Sequence, residues 1–298
     1  MAVCLRALLA VLALLALPLT ARATPLEVVA SFSILGDLVQ QVGGERIHVT
    51  TLVGPGEDAH GYQPRPSDAR RVRNAALVVA NGLGFDPWME RLARSAGYRG
   101  TVVLASRGII PMSPAGDDHD GHDHETDPHA WQDVGLAARY VATLADALAE
   151  VDPAGAADYR ARAQHYAARL TALDGEIRQT LGAVPANRRL VVTSHDAFGY
   201  FAHAYGIRFI APVGLSSNAE PTAAGVAALI RQVRETQAPA VFLENISDPR
   251  LLERIRRESS ARVGGTLYSD ALADRPPADT YLGMMRENLR VLAAALAP

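Results

Sequence analysis

The stretch DPAGAADYRARAQHYAARLTALDGEIRQTL, residues 152–181, keeps a helical pattern of apolar positions from end to end. At 3.6 residues per turn, it would form about eight turns of one helix. On both sides of it, apolar runs rich in β-branched residues alternate with amphipathic segments. A helix restricts the relative motion of two flanking units far more than a Gly/Ser linker would. We therefore expect two lobes joined by one long helix.

Each flanking segment contains four strand candidates separated by helical patterns such as residues 222–236 and 249–259. The strand candidates are residues 26–32, 48–54, 76–82 and 101–106 before the helix, and residues 189–194, 207–213, 239–245 and 262–268 after it. Strands that alternate with helices imply parallel sheets covered on both faces. Such sheets bind ligands at the carboxyl ends of their strands. The predicted fold class is α/β, with two lobes built on parallel sheets.

The N-terminal residues have the pattern of a targeting segment. Arg6 precedes an apolar run over residues 7–19, and the small-x-small sequence ARA follows at residues 21–23. This pattern is typical of a cleaved signal peptide. A buried N-terminal helix is the alternative, and a membrane span would need about 20 apolar residues. The predicted organisation is a signal peptide (1–23), an N-terminal lobe (24–150), a linking helix (151–182) and a C-terminal lobe (183–298).

Charge and cysteine content exclude several classes of protein. Removal of residues 1–23 would take away two arginines and no acids, so the formal charge would change from −3 to −5. A negative chain is a poor partner for nucleic acid or an anionic membrane. The only cysteine, Cys4, lies inside the predicted signal peptide, which leaves no disulfide and no cysteine for lipid attachment. We expect a freely diffusing periplasmic protein.

A histidine-rich segment precedes the predicted helix. Residues 117–131, DDHDGHDHETDPHAW, contain four histidines and six acids. Residues 113–127 have no periodicity, which predicts a mobile loop. His119, His122 and His124 lie between acids, where they would collect metal weakly and in many geometries. A solvated acidic loop without function is the alternative.

Most of the nine histidines need no functional explanation. His48 alternates with apolar residues in a strand, His165 lies in the linking helix, and His203 lies within a helical pattern. Each is interpreted as an ordinary surface or helix-face histidine.

Four other residues share a different context. His60, His129 and His195 each lie just after a predicted strand or in a loop, and Asp270 directly follows a strand. Three imidazoles and one carboxylate form a tetrahedral N/O ligand set that suits zinc. Each signal is weak when taken alone, and two positions have a specific alternative: Asp270 could cap a helix, and His195 with Asp196 could form a capping pair.

The stretches around these residues carry a family resemblance. They are GPGEDAHGYQPRPSD, DPHAWQD, TSHDAFGYFAHAYGI, FLENISDPRLLERI and VGGTLYSDAL. In this order and spacing, the chain resembles the zinc-specific solute-binding proteins of bacterial ABC importers, the cluster A-I group, over essentially its whole mature length. The resemblance implies two (β/α)4 lobes with a metal held in the interlobe cleft by His60, His129, His195 and Asp270.

The resemblance also implies a cargo and partners. Manganese-type relatives place a glutamate in the TSHDAF stretch, where this chain has His195. Mn²⁺ prefers carboxylate oxygen and imidazole suits Zn²⁺, so zinc is the expected cargo. The expected protein is a monomer that captures Zn²⁺ and delivers it to an ABC importer permease. A periplasmic zinc metallochaperone is a further candidate partner.

Two other functions use similar residues. A secreted zinc hydrolase would keep an open metal position for water and a general base nearby. The chain has no HExxH pair and no nucleophile motif, so we predict that it is not an enzyme. A metal buffer or adhesin without a transporter would use the same four ligands and stays open.

Side chains next to the predicted ligands are candidates for supporting contacts. Metal-bound imidazoles usually donate their second N–H to a carboxylate or carbonyl. The sequence offers four acids near the ligand motifs but does not assign them: Glu57, Asp58, Asp196 and Glu244. Tyr62 and Trp131 are interpreted as packing residues of the cleft.

Overall fold

The computed structural model describes residues 24–113, 126–212, 214–215, 222–236, 240–246, 249–259 and 262–297. Two four-stranded parallel sheets organise these residues. The first contains β1 (Leu26–Phe32), β2 (Ile47–Val53), β3 (Leu77–Ala80) and β4 (Val102–Leu104), in the order β2-β1-β3-β4. The second contains β5 (Leu190–Val192), β6 (Arg208–Ile210), β7 (Ala240–Glu244) and β8 (Val263–Leu267), in the order β6-β5-β7-β8.

Helices connect the strands and cover the sheets. They are α1 (Ser33–Gly43), α2 (Pro66–Asn74), α3 (Pro87–Ala96), α4 (Val134–Val151), α5 (Ala156–Gly182), α6 (Gly199–Tyr205), α7 (Ala223–Thr236), α8 (Pro249–Ser259) and α9 (Tyr281–Leu296). The predicted class, two α/β lobes with parallel sheets and a long joining helix, is confirmed. Within the described ranges, none of the helices combines the length and apolar character that crossing a membrane would require.

The strand order places a crevice at one end of each sheet. In the first sheet β1 lies between β2 and β3, and Val28 pairs with Val49 on one side and Leu77 on the other. The chain therefore leaves β1 toward one edge and later returns on the opposite side. This reversal opens a ligand crevice beyond the carboxyl ends of the two central strands. The same order in the second sheet places its crevice beyond β5 and β7.

The long helix α5 buries one narrow stripe. Its buried side chains recur every three or four residues: Tyr159, Ala163, Tyr166, Leu170, Leu173, Ile177 and Leu181. This spacing keeps them on one face of an α-helix. The helix is 27 residues long, which corresponds to about 40 Å. It packs on α1 and α4 of the N-terminal lobe and on α9 of the C-terminal lobe, so both lobes share it.

The helix starts four residues later than the sequence pattern predicts. Helix α4 ends at Val151, and Pro153–Gly155 form a single 3-10 turn before α5 begins at Ala156. Asp152 accepts hydrogen bonds from Arg46 (2.7 Å and 3.0 Å) and from the Tyr159 hydroxyl (2.7 Å). These contacts hold Asp152 in the turn between the helices rather than in the helix itself.

The segment after β8 crosses from the C-terminal lobe to the N-terminal lobe. The backbone N–H of Leu272 donates to the Ser33 hydroxyl (3.0 Å), and the Leu272 carbonyl accepts from Gly56 (2.9 Å). Farther along, the N–H of Tyr281 donates to Asp37 (2.8 Å). One continuous apolar core also runs through both lobes, and a smaller one lies between the second sheet, α7 and α8. The lobes are therefore fixed to each other well beyond their joining helix.

Truncation of the buried stripe of α5 should destabilise the protein. Leu173 is fully buried, so Leu173→Ala should lower the free energy of unfolding by about 2–5 kcal/mol through lost burial and the cavity left behind. Gln179 on the same helix is exposed, and Gln179→Ala should change it by less than about 0.5 kcal/mol. Urea unfolding followed by circular dichroism measures both. Equal effects of the two substitutions would contradict the described packing.

Candidate metal site

The four predicted residues lie together between the lobes. The ligand atoms offered by His60, His129, His195 and Asp270 all lie within 4.8 Å of one another. The Nε2 atoms of His60 and His129 are 3.3 Å apart. An Asp270 oxygen, Oδ2, lies 3.2 Å from His60 Nε2 and 3.1 Å from His195 Nε2, and Oδ1 lies 3.6 Å from His129 Nε2. Three ring nitrogens and one carboxylate thus converge on one small volume.

Strand ends bring two of these residues to the cleft. His195 and Asp270 each follow the last residue of a strand, Val192 or Leu267, by three positions. Both strands belong to the second sheet, where β7 separates them. The side chains of His195 and Asp270 therefore reach the same crevice from two strands that do not pair with each other.

His60 belongs to the N-terminal lobe, in the connection between β2 and α2. Its backbone N–H donates to the Asp58 carboxylate (2.9 Å), which shapes the turn before it. Its ring packs edge-on against Phe85, with centroids 4.6 Å apart. The side chain retains 6% exposure, the highest value among the four. His60 is therefore the residue of the set that lies nearest to solvent.

His129 is fixed by a carboxylate from its own segment. Asp127 Oδ1 accepts from the backbone N–H of His129 (2.9 Å) and hydrogen-bonds to its Nδ1 (2.8 Å). Asn81 donates to the Pro128 carbonyl (3.0 Å) and so ties this segment to the end of β3. Trp131 packs edge-on against the His129 ring at 5.3 Å. With a proton on Nδ1, the lone pair of Nε2 points toward the other three residues.

His195 is flanked by two buried carboxylates. Its Nδ1 lies 2.6 Å from Glu244 Oε2, and its Nε2 lies 3.1 Å from Asp270 Oδ2. The contact with Glu244 is an ion pair by distance rather than an aligned hydrogen bond, because neither atom has a correctly oriented hydrogen-bond partner among the described residues. Burial lowers the pKa of His195, but the charges of Glu244 and Asp270 outweigh it and hold this pKa well above its ordinary value.

Asp270 lies at the centre of the site. Burial raises the pKa of this carboxyl, but the His195 and His129 rings beside it outweigh burial and hold the pKa well below its usual range. Its Oδ1 atom is buried without a hydrogen-bond donor in the described part of the chain. A buried carboxylate oxygen that lacks a donor is costly unless a cation satisfies it. The donor set therefore fits a divalent metal ion.

The supporting residues differ in part from those proposed from sequence. Among the proposed acids, Glu244 contacts His195, and Asp58 contacts the backbone of His60. Glu57 instead accepts from the backbone N–H of Gly54 (2.8 Å). Sequence reasoning missed Asp127, although its place two residues before His129 is the spacing that allows the contact.

The two aromatic residues proposed as cleft packing have different positions. Trp131 is fully buried, contacts the His129 ring and donates from Nε1 to the Ser269 carbonyl (2.9 Å). Tyr62 packs on Trp88 (4.9 Å) and donates its hydroxyl to Asp68 (2.8 Å). Trp131 therefore supports the site directly, whereas Tyr62 packs in the layer behind it.

The remaining predicted histidines lie elsewhere. His48 is an exposed residue of β2 that contacts Glu27 (2.9 Å), and His165 and His203 lie on α5 and α6. None of these three belongs to the ligand cluster found among the described residues. His119, His122 and His124 lie outside the described residues, so their accessory binding stays a prediction.

The chain matches the model of a known protein family. The family model ZnuA, described as zinc-uptake complex component A periplasmic, matches residues 28–295. The chain belongs to this family. It is a metal-binding solute-binding protein of ABC importers, and therefore not an enzyme.

Individual relatives are named for different metals. The chain is 34% identical to the manganese-binding lipoprotein MntA of Halalkalibacterium halodurans over 274 residues, which are 91% of this chain and 89% of the relative. It is 32% identical to the iron-binding protein YfeA of Yersinia pestis over 270 residues, 90% of this chain and 85% of the relative. The solved structure of the periplasmic zinc-binding protein TroA from Treponema pallidum superposes with a TM-score of 0.85 at 31% identity, covering 92% of this chain and 100% of that one.

The predicted localisation is wrong. The sequence pattern predicts a freely diffusing periplasmic protein without a lipid anchor, whereas the H. halodurans relative is named a lipoprotein. The prediction depended on the position of Cys4 relative to one apolar run. Residues 1–23, to which the prediction applied, lie outside the described residues.

Addition of a methyl group at Gly199 should disturb the site from the C-terminal lobe. A Cβ there would overlap Asp127 Oδ2, so Gly199→Ala should displace the carboxylate that fixes His129 and weaken metal binding several-fold, at the lower end of the about 10–100-fold range for supporting residues. A Cβ at Gly175 on α5 meets no atom within 4 Å, so Gly175→Ala is the matched control. Chelator competition on both variants measures the effect, and equal affinities would contradict the described contact.

Proposed function

We propose that the chain captures Zn²⁺ between its lobes and delivers it to the permease of an ABC importer. The observation that carries the proposal is the donor set, in which three imidazole nitrogens and one carboxylate lie within 4.8 Å of one another. Zinc favours four-coordinate tetrahedral sites with nitrogen and oxygen ligands. Mn²⁺ favours sites with more oxygen ligands. One carboxylate against three imidazoles therefore supports zinc over manganese.

Relatives named for manganese and iron make those metals the alternatives. A relative's metal does not transfer at about one third identity, because one ligand exchange alters the preference of a site. In this chain the ligand position that distinguishes a zinc-type from a manganese-type set is occupied by His195. The Zn²⁺ proposal therefore depends on its imidazole.

The proposed mechanism is exchange of water for protein ligands. Zn²⁺ enters the cleft beside His60 and replaces its waters with the Nε2 atoms of His60, His129 and His195 and an oxygen of Asp270. The ion's two positive charges offset part of the negative charge of three buried carboxylates, those of Asp127, Glu244 and Asp270. Four protein ligands leave zinc no open position, which suits transport rather than hydrolysis. Docking on the permease then opens the site and releases the ion.

Loss of one ligand should weaken binding strongly. His195→Ala and His60→Ala should each lower Zn²⁺ affinity at least about tenfold, because a structural zinc site depends on every ligand. His165→Ala on α5 is the matched control and should leave affinity unchanged. Titration against a zinc chelator measures affinity and the expected stoichiometry of one zinc per chain. Wild-type affinity in both ligand variants would rule out the assignment.

Exchange of the distinguishing ligand should shift the metal preference. His195→Glu should raise Mn²⁺ affinity relative to Zn²⁺, since a second carboxylate adds the oxygen ligand that Mn²⁺ prefers. Competition of the two metals on the wild type and the variant measures the ratio. If the wild type already prefers Mn²⁺, zinc is not the cargo.

Acid should weaken zinc binding. The imidazoles must lose the Nε2 proton before they bind metal, and the pKa of His195 is held well above its ordinary value by the charges of Glu244 and Asp270. Affinity should therefore begin to fall above the ordinary histidine range of about 6.5 and continue to fall through it. Affinity measured between pH 8.5 and pH 5.5 tests this. A flat profile would point to a site made of carboxylates alone.

Interaction with a permease distinguishes an import protein from a metal buffer or adhesin. Zinc-loaded protein should stimulate the ATPase activity of its permease complex in liposomes, and a buffer or adhesin would not.

We propose in addition that His119, His122 and His124 collect zinc weakly for the cleft. Deletion of residues 117–125 should slow zinc uptake by the protein while leaving the tight site intact. A zinc metallochaperone and a monomeric state stay predictions.

A further inference from the structure

The two oxygens of Glu244 have different surroundings. Oε1 accepts from the backbone N–H groups of Ser194 (2.8 Å) and His195 (2.9 Å) and from the Ser194 hydroxyl (2.6 Å). Oε2 lies 2.6 Å from His195 Nδ1 and has no hydrogen-bond donor aligned with it among the described residues. One oxygen is therefore saturated with donors, and the other faces a single ring nitrogen.

We propose that Glu244 is a positioning residue that keeps the proton of the His195 ring on Nδ1 and leaves Nε2 free for the metal. This inference rests on the proposed ligation of zinc by His195. An ionised carboxylate offers only acceptors. A carboxylate oxygen beside Nδ1 therefore favours a proton on that nitrogen, and the neutral ring then presents its lone pair from Nε2.

A glutamine at position 244 could not do the same. Its amide has one oxygen and one NH₂ group. With the oxygen in the place of Oε1, the NH₂ group faces Nδ1–H of a zinc-bound ring at 2.6 Å. With the amide reversed, the NH₂ group faces the backbone N–H groups of Ser194 and His195, which cannot accept. Each orientation buries donors against donors, which is costly.

Asp127, the carboxylate beside His129, uses its two oxygens differently from Glu244. Asp127 uses the same oxygen, Oδ1, for both the backbone N–H and Nδ1 of His129. Its other oxygen, Oδ2, lies beside Gly199. An asparagine can therefore keep its oxygen toward His129 and turn the NH₂ group toward Gly199. The same carboxylate-to-amide change should be far less harmful at Asp127 than at Glu244.

Three variants test the inference. Glu244→Gln should weaken zinc binding about 10–100-fold, the usual range for a residue that supports a metal ligand. Asp127→Asn should also weaken zinc binding, but by a factor at least about five times smaller than the factor for Glu244→Gln. Glu27→Gln removes the equivalent charge beside His48, an exposed pair at 2.9 Å outside the site, and should leave affinity unchanged. Chelator competition gives the affinities, and thermal melting of metal-free protein shows whether each variant folds.

A ring-proton measurement separates positioning from general stability. Long-range ¹H–¹⁵N NMR of the zinc-loaded wild type should show His195 with its proton on Nδ1 and metal on Nε2. Glu244→Gln should lose this pattern for His195 and keep it for His129. In a His195→Ala background, Glu244→Gln should add little further loss, because it acts through that ring. If Glu244→Gln fails to fold, Glu244→Asp, which keeps both acceptor oxygens, should retain the Nδ1–H pattern.

Several results would overturn the inference: equal losses for Glu244→Gln and Asp127→Asn, an unchanged ring pattern in Glu244→Gln, a lost pattern in Glu244→Asp, or an undiminished effect in the His195→Ala background. Its failure differs from that of the proposed function. If His195→Ala itself binds zinc normally, the ligand assignment fails. If His195→Ala loses affinity and Glu244→Gln does not, only the role of Glu244 is wrong.

Discussion

The Ser269 carbonyl accepts hydrogen bonds from Trp131 Nε1 (2.9 Å) and Gln132 Nε2 (2.6 Å), and the rest of the site depends on this contact between lobes. Ser269 directly precedes Asp270, and Trp131 follows His129 by two positions. The Tyr281 hydroxyl closes the same junction by donating to the Trp131 carbonyl (2.6 Å). A carboxylate from one lobe and an imidazole from the other are thereby held at a separation that a single metal ion can bridge.

Asp270 follows a strand of the C-terminal lobe, but its segment is tied to the N-terminal lobe by backbone contacts that include those of Leu272. His195, in contrast, is oriented by Glu244, which ends β7 of its own sheet. Three of the four metal-facing groups, those of His60, His129 and Asp270, are therefore held by the N-terminal lobe. The His195 imidazole is held by the second sheet. If the second sheet moved away from the junction, His195 would be the first ligand to leave the metal. Relative motion of the lobes would therefore change the coordination directly.

Periodicity made the strands and the long helix predictable, because buried parallel strands read as apolar runs and α5 repeats its buried positions every three or four residues. His60, His129, His195 and Asp270 were recognisable because each follows a strand or closes a loop and because the surrounding motifs resemble a family. Asp127 against Gly199 was not predictable, since that contact depends on how two lobes meet rather than on a local pattern. The shift of the start of α5 to Ala156 likewise depends on Arg46, a residue distant in sequence that holds Asp152.

If one metal ion is bound jointly by the two lobes, a crystal structure of the zinc-loaded protein with anomalous diffraction at the zinc edge should show it. We expect one strong anomalous peak per chain, with His60, His129 and His195 bound through Nε2 at about 2.0–2.1 Å and an Asp270 oxygen at about 2.0–2.2 Å. A peak bound by only one lobe, or one that lacks Asp270 or any of the three imidazoles, would contradict it.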